Sequence, residues 1–302
     1  MNQKLTPATA LLLTVPPLMW AGNAIVGRML QGMVPPITLN FLRWTIACLL
    51  LLPLAAPVFG ARSDLWRHKK RYTLLGLLGI GIYNALQYLA LQTSTPINVT
   101  LVAASLPVWM LLVGALFFNA TISTRHIVGS VLSIAGVLLV LSRGEWAHVM
   151  ALRLVPGDLF IVLATIAWSF YSWLLNDREG LGEIRHDWAG LLLAQVGFGL
   201  LWSGAFAAGE WTVSTQHIDW SWTLAAALLY VGVGPAIVAF RCWGLGVQRV
   251  GPGIAGFFNN LTPLFAALMS SAFLGEQPHA YHFAAFILII AGILVSARRA
   301  SA

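Results

Sequence analysis

Asn23, Tyr83, Gln87, Trp109, Trp168, Tyr171 and Asn259 are the residues of this 302-residue chain best suited to hold a small molecule. Each falls in or near the middle of a long apolar stretch, where polar groups are costly and usually face a protein interior. Their spacing is helical. Trp20, Asn23 and Gly27 follow one another at three and four residues, so they share a face. Tyr83 with Gln87, Asn84 with Tyr88, and Ser105 with Trp109 are each four apart, and Trp168 with Tyr171 three apart. Rings beside neutral amides suit a small amphiphile with an apolar ring. A single amide of this kind also serves as glue between membrane helices, and a single ring as core or lipid contact. The set as a whole, recurring in both halves of the chain, points to a site.

Residues that are missing narrow the chemistry. The ten Asp and Glu and the seven His fall in loops or at the ends of apolar stretches, with Asp158, Glu210 and Glu276 among them. No mid-membrane carboxylate is expected to relay protons or pair with a cationic drug. No nucleophile–base pair, His–Glu metal pair or glycine-rich phosphate loop is present. No catalytic residue, metal or cofactor is therefore expected, and the chain reads as a non-enzyme. Arg43 and Arg241 lie within apolar stretches, and both are expected to snorkel to a membrane face. The alternative for Arg43 is a hold on a substrate carboxylate.

Composition dictates the solvent. Hydrophobic residues make up 59% of the chain and charged residues 9%, with a mean hydropathy of +0.81. Soluble domains carry roughly 25% charge, so lipid must cover most of this surface. The net charge of +7 is then an orientation signal and not a nucleic-acid footprint. Cys48 and Cys242 sit in apolar runs and imply no disulfide framework.

A spanning helix needs about 20 apolar residues. Ten stretches qualify: 8–30, 37–58, 72–92, 98–118, 125–142, 156–176, 187–208, 221–243, 253–274 and 280–297. The expected fold is an all-α integral membrane protein of ten helices. The first stretch is too long for a signal peptide core and contains Pro16, Pro17 and Asn23.

The stretches repeat. At a constant offset of 156 residues, Gly76 falls on Gly232, Pro96 on Pro252, Pro107 on Pro263, His126 on His282, Gly136 on Gly292 and Arg143 on Arg299. Residues 1–143 and 144–302 therefore read as two five-helix repeats. With the N-terminus cytoplasmic, twelve of the 17 Lys and Arg fall on the cytoplasmic side and three, Arg28, Arg143 and Arg153, on the other. Both termini are thus expected inside. Five helices per half then make the repeat inverted, the pattern of transporters whose halves pack around a central site. Pro107 and Pro263 are expected to kink equivalent helices and to act as hinges, or to shape the bundle as static kinks. Pro235 and its counterpart Gly79 add a second equivalent pair. Gly129, Ser133 and Gly136, with Gly292 and Ser296, read as close helix packing.

These residues resemble a family. Leu18-Met19-Trp20-Ala21-Gly22-Asn23, Pro107, the pattern from Gly129 to Gly136 before Arg143, Gly157-Asp158 leading to Ala167-Trp168, Pro263, Phe273-Leu274-Gly275-Glu276, Ala291-Gly292 and Arg298-Arg299 are similar to the ten-helix drug/metabolite transporters with their duplicated EamA domain. The resemblance covers nearly the whole chain. One departure is that Asn119-Ala120 stands where the first repeat would carry a Gly-Glu pair. Within that superfamily the sequence looks most like bacterial exporters of aromatic amino acids. The resemblance implies a multi-pass protein of the bacterial inner membrane.

The expected function is a secondary transporter exporting amino acids with aromatic or large apolar side chains by alternating access, without obligatory proton coupling. Its partners are the small-molecule substrate and the lipid bilayer, and a monomer suffices. The alternatives are a proton-coupled exporter of other metabolites or drugs, and a structural or signalling membrane protein.

Overall fold

The computed structural model describes residues 5–298, except 95, 146, 148–149, 151–154, 216 and 275–278. Glu276 lies outside the described residues, so its expected place at a helix end has no structural counterpart here. Among the described residues the structure is helical throughout, without strands.

Eight helices are long and apolar enough to cross a membrane among the described residues. They comprise α1 (Pro7–Met29), α2 (Pro36–Ala55), α3 (Lys69–Thr93), α5 (Thr124–Leu141), α6 (Pro156–Asn176), α7 (Trp188–Val213), α8 (Trp222–Val250) and α10 (Ala280–Ala297). The stretches expected at 98–118 and 253–274 are interrupted. The first, α4, runs as Pro96–Ala103 and Leu106–Phe117, broken at Ala104-Ser105. The second, α9, runs as Pro252–Phe258, a 3₁₀ turn Asn259–Leu261, and Thr262–Leu274.

Pro107 and Pro263 stand just past these interruptions, and the backbone keeps right-handed helical angles through both. Each is the second residue of the segment after a break. In the first turn an N–H has no intrahelical partner, so proline costs no hydrogen bond there and its fixed φ favours the new start.

Equivalent elements recur at the 156-residue offset. Helix α3 is π-helical over Gly76–Ile82 and α8 over Gly232–Val238. Helices α5 and α10 begin and end at equivalent residues, and each opens on a His at its third position that reaches back to the preceding backbone N–H, His126 to Ser123 and His282 to His279. A π segment misaligns carbonyls from the helical ladder, and side chains take them up. Asn40 Nδ2 donates to Ile80 O at 2.9 Å, and Trp20 Nε1 donates to Pro235 O at 3.3 Å.

Small residues let α5 and α10 meet backbone to backbone, as expected. A Cβ on Gly129 would stand 2.8 Å from Gly292 O, and one on Gly292 2.7 Å from Gly129 O. Further along the same seam, a Cβ on Gly136 would stand 2.9 Å from Ala285 O.

Glu210 shows what a carboxylate at a helix end can do. The 187–208 stretch continues as helix to Val213, so Glu210 is in its last turn and not in a loop. It is buried and caps α2: its oxygens accept from Ile37 N at 2.9 Å, Thr38 N at 2.7 Å and Thr38 Oγ1 at 2.7 Å. Negative charge at a helix start satisfies orphan N–H groups and the local dipole.

Candidate functional site

A cavity of about 590 Å³ opens between α1, α2, α3, the first segment of α4 and the break in α9. It runs from Trp20, Tyr83 and Asn259 in mid-helix to the exposed α1–α2 connection at Gln31 and Gly32. Asn23, Tyr83, Gln87 and Asn259 line it, joined by Trp20, Asn84, Tyr88 and Asn260. Pro263 lines it too, just past the α9 break. No Asp, Glu, His, Lys or Arg is among the described lining residues.

Beneath the cavity lies an aromatic layer. Trp168 of α6 is fully buried and does not reach the cavity surface. Its ring packs 5.3 Å from Trp20, edge-on, and 4.6 Å from Tyr83, both of which line the cavity. Tyr171 stacks on the far side of Trp168 at 4.7 Å, and its hydroxyl donates to Gln195 Oε1 at 2.8 Å. Trp243 and Phe240 of α8 close the layer at 5.5 and 5.2 Å from Trp168. Tyr171 sits where it does because α3 has glycine opposite: a Cβ on Gly79 would stand 2.6 Å from its ring.

Of the expected site residues, Trp168 and Tyr171 lie in this layer and off the cavity wall, and Trp109 is apart from both. It lies after the α4 break and its Nε1 donates to Ser105 Oγ at 3.0 Å, away from the cavity wall. Pro107 is also off the wall, whereas its equivalent Pro263 is on it.

Arg43 overturns its expectation most plainly. It does not snorkel: it is 0% exposed. Its Nη1 donates to Asn84 Oδ1 at 3.1 Å, Tyr88 Oη at 3.2 Å and Asn23 Oδ1 at 3.4 Å, and its guanidinium lies 5.2 Å from the Trp44 ring. Tyr88 in turn donates to Asn23 Oδ1 at 3.3 Å. All three neutral partners line the cavity. Arg241, by contrast, is exposed at its helix face and lies 4.1 Å over the Trp188 ring.

Away from the cavity mouth, the start of α3 and the segment before it are tied to the α6–α7 connection. Arg71 pairs with Asp177, Tyr72 Oη donates to Leu181 O at 2.8 Å, and Glu183 N donates to Asp64 Oδ2 at 2.9 Å. Asp158 is buried in the first turn of α6. It accepts from Val155 N at 2.9 Å and from Ser94 Oγ, and it is not among the lining residues.

Comparison with known proteins gives the family and the fold. The EamA-like transporter family matches residues 8–142 and again residues 155–298. The chain is similar to an uncharacterized transporter of Archaeoglobus fulgidus, 26% identical over 98% of each chain. It is 25% identical to the aromatic amino acid exporter YddG of Ancylobacter novellus, covering 83% of this chain and 84% of that one. It is also 25% identical to a probable terminal-alkyne amino-acid exporter of Streptantibioticus cattleyicolor, covering 86% and 84%. A solved crystal structure superposes with a TM-score of 0.73 over 96% of both chains at 21% identity, which shows the shared fold.

Proposed function

The chain belongs to the EamA-like transporter family, and from that premise we propose that it exports amino acids with aromatic or large apolar side chains. The observation that carries this reading is the cavity itself. Its volume lies within the roughly 300–1,000 Å³ of small-molecule sites. Its floor is Trp20 and Tyr83 on a buried aromatic layer, and its walls set amides among aliphatic side chains. An apolar ring gains from such a floor, and the amides serve a polar headgroup without a titratable lining group. The two amino-acid exporters among its relatives support the same substrate class.

In this reading residues 1–143 and 144–302 work as two inverted repeats, with both termini cytoplasmic in the bacterial inner membrane. The cavity then faces outward, and the Arg71–Asp177 and Tyr72–Leu181 ties close the cytoplasmic side. Alternating access opens those ties and closes the mouth, with flexing at the breaks before Pro107 and Pro263. A single chain suffices.

Transport needs no obligatory proton exchange. The buried Asp158 is spent on the start of α6 and on Ser94, not on the cavity. A zwitterion carries no net charge, so the membrane potential neither drives nor opposes it. The test is uptake of labelled phenylalanine into proteoliposomes with and without an imposed pH gradient. Equal initial rates are expected. Proton-driven accumulation against the substrate gradient, lost in Asp158→Asn or Glu276→Gln, would overturn the uncoupled reading and favour the proton-coupled alternative. Cysteine labelling that places residues 144–155 inside the cell would overturn the orientation.

A further inference from the structure

We propose that the cavity wall made by Asn23, Asn84 and Tyr88, with Arg43 behind it, is an anion site that reads a carboxylate on the cargo. The inference rests on the cavity being the transport site. It begins with an imbalance. Arg43 is sealed from solvent, and none of the ion pairs among the described residues involves it. An isolated buried cation is among the costliest groups a fold can hold. Among the described residues its only polar contacts are to neutral oxygens, all through Nη1, while Nε and Nη2 have no partner there.

The hydrogen bonds fix which way the amides point. Asn23 and Asn84 turn their Oδ1 atoms toward Arg43, and Tyr88 spends its proton on Asn23 Oδ1. Asn84 Nδ2 is left without a partner. Every unsatisfied polar atom of this cluster is therefore a donor: two guanidinium nitrogens and one amide nitrogen. A donor-only cluster with a net positive charge matches a carboxylate, which only accepts. Hydrogen bonds to an ionised group are the strong ones.

The same cavity is polarised the other way at α9. Asn260 Nδ2 donates to Ser133 Oγ at 2.9 Å, which leaves Asn260 Oδ1 as an acceptor without a partner. A zwitterion fits both walls, with its carboxylate toward α2 and α3 and its ammonium toward the α9 break.

The unpaired atoms are sealed from solvent, and the cavity is lined by Asn23, Asn84 and Tyr88 but not by Arg43. Arg43 is accordingly a positioning residue: it supplies the field and sets the amides, and Asn23, Asn84 and Tyr88 meet the cargo.

The experiment compares an acid with its neutral amide. Purified full-length protein in detergent is titrated with 3-phenylpropionate and with 3-phenylpropanamide, and ligand-induced thermal stabilisation is read. The acid is expected to bind roughly ten- to hundredfold tighter, the range of a hydrogen bond to an ionised partner. Arg43→Gln should erase the preference and Arg43→Lys should keep part of it, which a merely structural arginine would not do. The wild-type comparison decides the matter even if Arg43→Gln fails to fold. Equal response to acid and amide would overturn the anion site. Preference for the acid in a protein that exchanges no phenylalanine in proteoliposomes would remove the amino-acid reading and leave the anion site standing.

Discussion

Trp168 and Trp109 show how differently one residue type is used at two depths. Trp168 is enclosed by Trp20, Tyr83, Tyr171, Phe240 and Trp243. Trp168→Ala should lower stability by about 3–5 kcal/mol, the cost of emptying a buried aromatic site, read as a lower melting midpoint in detergent. Trp109→Ala touches no cavity wall, so the apparent affinity for cargo should stay at the wild-type value in exchange assays. Tyr83→Ala removes a floor residue and should weaken aromatic cargo more than leucine. A ring pair is worth about 0.5–1.5 kcal/mol beyond its area, or roughly two- to thirteenfold. Asn23, Tyr83, Gln87 and Asn259 were legible in the sequence because helical spacing and mid-stretch position together select one wall. Arg43 was not. A long cation near the end of an apolar stretch is equally compatible with a headgroup and with an inward turn. The choice is made by Asn23 on α1 and by Asn84 and Tyr88 on α3, which no local pattern ties to α2.

At the scale of elements, α4 and α9 border the cavity at their interruptions, whereas the π segments of α3 and α8 lie off its wall. Asn259 and Asn260 reach it because α9 is interrupted there by a 3₁₀ turn. The duplication of these elements was legible from matched glycines and prolines. Their interruption was not, because a proline is compatible with a kink or with a fresh start, and packing decides between them. The π segments were equally hidden, since they depend on partners such as Asn40 from another helix. The end of the 187–208 stretch was drawn short for a simpler reason: Gly209 looks like a helix stop, yet the helix runs four residues past it, to Val213, and carries Glu210 in its last turn. Its role as a cap on α2 gives a prediction. Glu210→Ala should cost about 0.5–2 kcal/mol, the usual loss of an N-cap, measured as a lower melting midpoint. Glu210→Gln should cost less, because it keeps one acceptor oxygen for the Ile37 and Thr38 N–H groups.

Across the whole molecule, one end of the bundle is open and the other is tied. Removing a tie should shift the balance between the two openings without touching the cavity. Asp177→Ala leaves Arg71 unpaired and is expected to raise the labelling rate of a thiol introduced by Ser172→Cys, on the tied side of the aromatic layer. An unchanged rate would show that the ties do not hold that side shut. The seam between α5 and α10 has a consequence of its own. Gly129 meets Gly292, and the residues equivalent to them by the 156-residue offset, Ala285 and Gly136, also meet. Each contact is thus the image of the other with the two halves exchanged, which is the rule of a self-complementary, isologous interface between two identical subunits. The covalent chain carries, between its own halves, the interface of a two-fold homodimer. If the chain divides as proposed, separately made 1–143 and 144–302 have a ready-made surface on which to reassemble.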